Sequence, residues 1–191
     1  GAAAVMLRDI DADGYADLVV DNSWYRNDGT GAVTLMGAYC PAGTPARLLE
    51  DLDGDGDVDD VIRQANSVDL LLNQGGGTFT VGASLGPLGT TTSLAVAHAD
   101  LDGDGLKDLV IGGTNPQMGW YKGLGAGAFG PQQAINPLAQ PSTPRCGDVD
   151  ADGDNDLIAF GLPGGTVWFA NDGNGNFALG DTIPSGIPEA L

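Results

Sequence analysis

Four stretches of this 191-residue chain carry aspartate at one fixed spacing. They read DIDADGYAD from Asp9, DLDGDGDVD from Asp51, DLDGDGLKD from Asp100 and DVDADGDND from Asp148. Loop positions 1, 3, 5 and 9 are Asp9, Asp11, Asp13 and Asp17 in the first, and Asp51, Asp53, Asp55 and Asp59 in the second. The third has Asp100, Asp102, Asp104 and Asp108; the fourth has Asp148, Asp150, Asp152 and Asp156. Position 6 is glycine throughout (Gly14, Gly56, Gly105, Gly153), as a sharp turn without a Cβ clash demands. Position 7 varies (Tyr15, Asp57, Leu106, Asp154), as it would if only its backbone carbonyl mattered. Two carboxylates about 5 Å apart repel by roughly 3 kcal/mol at an effective dielectric near 20. Four on one short turn therefore call for a cation.

The expected cation is Ca²⁺, one in each of the four loops. Hard oxygen donors on a flexible loop favour it over Mg²⁺, which wants strict octahedral geometry and retained water. No Cys or His lies in any loop, which argues against soft metals. The loops match the first half of an EF-hand loop, whose positions 1, 3 and 5 give side-chain oxygens and position 7 a carbonyl. They depart at position 12, which is Val20, Ile62, Ile111 or Ala159 instead of a bidentate Glu. The aspartate at position 9 must close the shell, and an EF-hand helix pair is excluded. One Asp/Gly-rich turn would ordinarily be a solvated turn; four identical spacings argue otherwise. A purely structural ion is favoured over a regulatory one.

The elements holding these loops repeat with them. Successive loops start 42, 49 and 48 residues apart, and each is followed by a second recurring string. These strings are WYRNDGTGAV from Trp24, LLLNQGGGTF from Leu70, WYKGLGAGAF from Trp120 and WFANDGNGNF from Trp168. Short β-branched or aromatic runs bounded by Asp, Asn and Gly read as strands joined by hairpins. About four strands per unit of roughly 48 residues is the size of a propeller blade. The sequence therefore predicts an all-β fold, a β-propeller of four repeated four-stranded blades, either a closed four-blade ring or half of a larger one. The whole chain, 1–191, reads as a single domain with units near 1–42, 43–91, 92–139 and 140–191. IPEAL at 187–191 resembles TPARL at 44–48, so the chain stops where a fifth unit would begin. A second copy, as a homodimer, or further blades would complete a larger ring.

Composition narrows the function. Seven Lys+Arg against 26 Asp+Glu give a formal net charge of -19, which excludes nucleic-acid binding by phosphate neutralisation. Of 24 aspartates, 18 lie inside the four loops. With 32 Gly and 11 Pro a helical bundle is disfavoured, while 42% hydrophobic residues argue against disorder. No run of 18 apolar residues predicts membrane insertion. The chain opens at Gly1 with no signal-peptide pattern, suggesting a mature or excised piece.

The DxDxDGxxD loops, each followed by an apolar strand, resemble the FG-GAP/VCBS repeat family, the calcium-loop blades of integrin α-subunit heads and many secreted bacterial proteins. The resemblance covers all four units and implies a β-propeller with one Ca²⁺ in each loop between the first two strands of a blade. A full Phe-Gly…Gly-Ala-Pro signature is absent, with only Phe129-Gly130-Pro131 nearby. Propellers of this kind usually have about seven blades.

Trp24, Trp120 and Trp168 share one repeat position, with Leu70 in the second unit. Inter-blade packing is the favoured reading, because a core can exchange Trp for Leu whereas a sugar-stacking shelf cannot. The sharper reading is a glycan site like those that similar fungal lectins place between blades. It would use Trp24 with Arg26, Asn27 and Asp28, then Trp120 with Lys122, and Trp168 with Asn171 and Asp172. His98, the single histidine, aligns with Leu7, Leu49 and Cys146 in the innermost strand and reads as structural. Arg8, Arg47 and Arg145 are expected to offset local acid charge. Cys40 and Cys146 leave both a disulfide and two free thiols open. No nucleophile arrangement repeats, so an enzyme is disfavoured. The expectation is a calcium-binding module of a secreted or cell-surface protein, serving adhesion or lectin-like carbohydrate recognition of a glycan or protein ligand. The alternative is a passive scaffold or spacer propeller within a larger extracellular protein or enzyme.

Overall fold

The computed structural model describes residues 5–40, 48–64, 67–87, 95–112, 118–135, 142–161 and 165–184. All regular structure among them is β, arranged in four-stranded antiparallel meanders, the blades of a β-propeller. The first sheet runs β1 (Val5–Arg8), β2 (Asp17–Val20), β3 (Ser23–Asn27), β4 (Val33–Ala38). The second runs β5 (Leu49–Glu50), β6 (Asp59–Arg63), β7 (Ser67–Asn73), β8 (Phe79–Pro87). In the third, β9 (Ala95–Ala99), β10 (Asp108–Gly112) and β11 (Gly119–Tyr121) are followed by a small hairpin before the outer strand. That hairpin is β12 (Gly123–Gly125) with β13 (Ala128–Phe129), and the outer strand is β14 (Gln133–Ala134). The fourth is β15 (Ser142–Gly147), β16 (Asp156–Gly161), β17 (Gly165–Asn171), β18 (Phe177–Pro184).

Every acidic loop joins the first two strands of its sheet, and one register recurs behind all four. Leu18 lies opposite Tyr25, Asp60 opposite Leu71, Leu109 opposite Tyr121 and Leu157 opposite Phe169. The residue after each of the second partners is thereby carried back beside the loop.

The chain divides into two compact units. In the one formed by 1–87 with 124–129, Ile10, Val19, Trp24, Tyr39, Leu49, Ile62 and Leu71 from both sheets bury a shared core. In the other, Leu101, Val110, Met118, Trp120, Leu157, Ala159 and Phe169 do the same for the third and fourth sheets. Each fully buried Leu, Ile or Phe contributes on the order of 1.5–3 kcal/mol. Small residues let the seams close: the tip glycine of the second sheet, Gly77, sits where any Cβ would overlap the Trp24 ring, and Gly175 does the same over Trp120.

Neither cysteine is in a disulfide; Cys40 is buried, and burial pushes the Cys146 thiol up to about 12. IPEAL at 187–191, Arg47 and the rest of TPARL before Leu48 lie outside the described residues. Among the described residues no helix is long and apolar enough to cross a membrane.

Candidate functional site

The loops are built by their own hydrogen bonds. The position 1 carboxylate accepts the amide of the position 6 glycine in each: Gly14 to Asp9 at 2.8 Å, Gly56 to Asp51 at 3.1 Å, Gly105 to Asp100 at 2.9 Å, Gly153 to Asp148 at 3.2 Å. Those glycines have φ of 92°, 97°, 88° and 100°, the left-handed conformation that the sequence pattern demands. Position 5 accepts the position 7 amide, as in Tyr15 to Asp13 (3.0 Å) and Leu106 to Asp104 (2.8 Å). Tyr15 and Leu106 point their side chains outward, which explains why position 7 tolerates such different residues.

Position 9 ties loop to sheet. Asp17, Asp59, Asp108 and Asp156 are all fully buried. One oxygen of each accepts the amide of loop position 2: Ile10 at 3.0 Å, and Leu52, Leu101 and Val149 at 2.8 Å. The other accepts an amide just beyond the aromatic run, from Asn27 (2.7 Å), Asn73 (2.8 Å), Gly123 (2.7 Å) or Asn171 (2.9 Å). Burial pushes Asp59 up to about 6 and also raises Asp108.

In every loop three carboxylates each bring an oxygen within 4.8 Å of the others. The sets are Asp9, Asp11 and Asp13; Asp51, Asp53 and Asp59; Asp100, Asp102 and Asp108; Asp148, Asp150 and Asp156. Asp17 falls outside the first set, and Asp55, Asp104 and Asp152 outside the others. The donors fit a hard divalent cation, since all are oxygen. Asp11 Oδ1 and Asp102 Oδ1 are moreover buried without a hydrogen-bond partner among the described residues. A bound Ca²⁺ would supply the positive charge that offsets this crowding, held by these carboxylates.

Cations from the third strand reach two of the loops. Arg26 pairs with Asp11 through Nε at 2.6 Å and with Asp13 through Nη2 at 2.8 Å. Lys122 pairs with Asp102, and with Asp104 at 2.8 Å. Hydrogen bonds from these two cations hold Asp13 and Asp104 below the usual carboxylate range. Arg8, by contrast, donates to the Leu49 carbonyl and pairs with Glu50 at 3.6 Å, while Arg145 caps the Pro144 carbonyl.

Trp24 and Trp120 are buried beneath Gly77 and Gly175, while Trp168 is half-buried against Gly180. Asn27 donates to the Ala16 carbonyl. Asp28 and Asp172 fold their own hairpin tips by accepting amides from Thr30 and Asn174. Asn171 is buried and donates to the carbonyls of Leu101 (2.7 Å) and Asn155 (2.9 Å); Asn73 likewise donates to Ile10 at 2.8 Å. These two asparagines clamp the preceding loop of their unit, a role missed from sequence although Asn ends the aromatic run in three units of four. His98 lies in β9, the first strand of its sheet, opposite Leu109.

A family model described as an FG-GAP-like repeat matches residues 51–111 and 100–159, together more than half of the chain. A solved structure of an Agrocybe aegerita lection, titled for specific recognition of non-reducing terminal N-acetylglucosamine, is 27% identical with a TM-score of 0.70. The match covers 94% of this chain and 51% of that one, so this chain spans about half of the lectin's length. The Photorhabdus luminescens Tc holotoxin pore is 25% identical with a TM-score of 0.57, covering 98% of this chain and 9% of that one. No curated protein matches.

Proposed function

The chain belongs to the FG-GAP-like repeat family, and from that premise we propose a Ca²⁺-binding β-propeller module of a secreted or cell-surface protein that recognises carbohydrate. The observation that carries the metal is the fourfold recurrence of convergent carboxylate oxygens with no nitrogen or sulfur donor. The observation that supports the ligand class is the likeness to the N-acetylglucosamine-recognising lectin over nearly all of this chain. The reading assigns no catalysis.

A glycan array in millimolar Ca²⁺, repeated with chelator, tests it. Binding to a defined terminal sugar that chelation abolishes is the expected result; a blank array sinks the lectin reading. For the metal, native mass spectrometry should count about four Ca²⁺. The extracellular assignment expects affinities around 10⁻⁴–10⁻³ M, and nanomolar binding at every loop would argue against it.

A second reading, a passive spacer inside a larger protein, is favoured by the burial of Trp24 and Trp120 and by the likeness to a short part of the toxin chain. A blank array together with intact Ca²⁺ binding would select it.

A further inference from the structure

We infer that the four loops form two classes, set by one position of the third strand: the first and third carry their own counter-cation and bind Ca²⁺ weakly, whereas the second and fourth hold the tightly bound ions. This rests on the calcium reading above.

The deciding position is occupied by Arg26, Leu72, Lys122 and Ala170 in the four units. Arg26 and Lys122 each bridge the carboxylates at loop positions 3 and 5. Leu72 and Ala170 carry no charge, and among the described residues no Lys or Arg pairs with an aspartate of the second or fourth loop. Position 7 varies in step with this. Where the cation is missing, a fifth carboxylate is present, Asp57 or Asp154; where it is present, position 7 is Tyr15 or Leu106. The third loop also contains Lys107.

The position 3 carboxylate is turned differently in the two classes. In the second and fourth loops its Oδ1 accepts a loop amide, Asp55 to Asp53 and Asp152 to Asp150, both at 3.2 Å. In the first and third loops Oδ2 faces the cation, and the corresponding Oδ1 is buried without a hydrogen bond among the described residues. An incoming Ca²⁺ must therefore displace a guanidinium or ammonium from two donors, and the loop around it carries one negative charge fewer. Arg26 and Lys122 are long and more than a third exposed, so they can swing outward.

Calorimetric titration of the metal-stripped full chain with Ca²⁺ tests this. The expected isotherm has two tight and two weaker sites, separated by roughly tenfold to a hundredfold. Arg26→Ala with Lys122→Ala should draw the weak pair towards the tight one, and Ala170→Lys should remove one tight site. The double variant should also melt lower than the native chain in chelator and recover in Ca²⁺. Four equivalent sites in the native chain, or an isotherm unmoved by the double variant, would overturn the inference and leave the calcium reading standing. No Ca²⁺ binding at any loop would overturn both.

Discussion

The first and second loops lie in the same compact unit and share every aspartate of the repeat, yet their electrostatics differ. In the first, the hydrogen bond from Arg26 holds Asp13 down, although burial still raises Asp11 against the same cation. In the second, burial pushes both Asp53 and Asp59 up with no cation to oppose it. The other unit repeats the contrast. Lys122 lowers Asp104 in the third loop, while burial and then the neighbouring Asp152 raise Asp150 and Asp154 in the fourth. A shared aspartate motif thus leaves the charge at its centre undecided, and a side chain on another strand decides it.

The largest effect should come from the position that the two classes have in common. Asp59→Ala strips the acceptor from two backbone amides, those of Leu52 and Asn73. At about 1–3 kcal/mol for each stranded donor, the loss should reach roughly 2–5 kcal/mol by denaturant titration. Asp17→Ala should cost about as much. A much smaller loss at Asp17 would mean that Arg26 supports the first loop independently of its buried aspartate.

Chelation should divide the loops next. Hydrogen exchange in chelator should speed at the amides of Gly56 and Gly153 relative to Ca²⁺, and change less at Gly14 and Gly105, where a cation remains in place. Equal loss of protection in all four would break the comparison.

Acid response gives a smaller effect with a definite sign. Asp59 rises from an ordinary 3.8 to about 6 in the fold. Across that window the folded, metal-free chain keeps a proton that the unfolded chain has released, so stability falls as pH rises. Asp13 and Asp104 act oppositely: they stabilise above the ordinary carboxylate range, and that contribution is lost as pH falls through their lowered values. Urea midpoints between pH 3.5 and 7 in chelator should slope less in Asp59→Asn; an unchanged slope would remove burial of Asp59 as its source.

The smallest effect is conformational. Position 4 is left-handed in all four loops, but it is Ala12 (φ 59°) and Ala151 (φ 64°) in two and Gly54 (φ 86°) and Gly103 (φ 72°) in the others. Gly54→Ala should cost about 1 kcal/mol, and Ala12→Gly should cost nothing or gain a few tenths. Thermal melts of both variants check it.

Most of the fold was legible because it is periodic. Alternating apolar runs, fixed aspartates and hairpin glycines recur four times, and each recurrence became a four-stranded sheet with its loop between the first two strands. Lateral relations were not legible. Arg26 and Lys122 read as sugar-binding groups beside a stacking Trp because each stands two residues after one in sequence. Only the strand register, Leu18 opposite Tyr25 and Leu109 opposite Tyr121, carries them back to the aspartates. Arg8, one residue before a loop, finds Glu50 instead. Asn73 and Asn171 reach carbonyls 63 and 70 residues away, a separation at which a local pattern is silent. In the third unit, where Gly123 stands in place of the Asn of the others, the outer segment is divided into β12, β13 and β14.

The asparagine clamps have a consequence for how such a chain can be shortened. Asn73 grips the Ile10 carbonyl of the sheet before it, and Asn171 grips Leu101 in the same way, whereas the equivalents in the first and third sheets are Asn27, bonded within its own sheet's loop, and Gly123, which has no side chain to reach with. Gripped and gripping sheets alternate. Removing the first blade alone would take away the carbonyl that Asn73 grips, and removing the third alone would do the same to Asn171, so each later blade depends on the one before it in its unit.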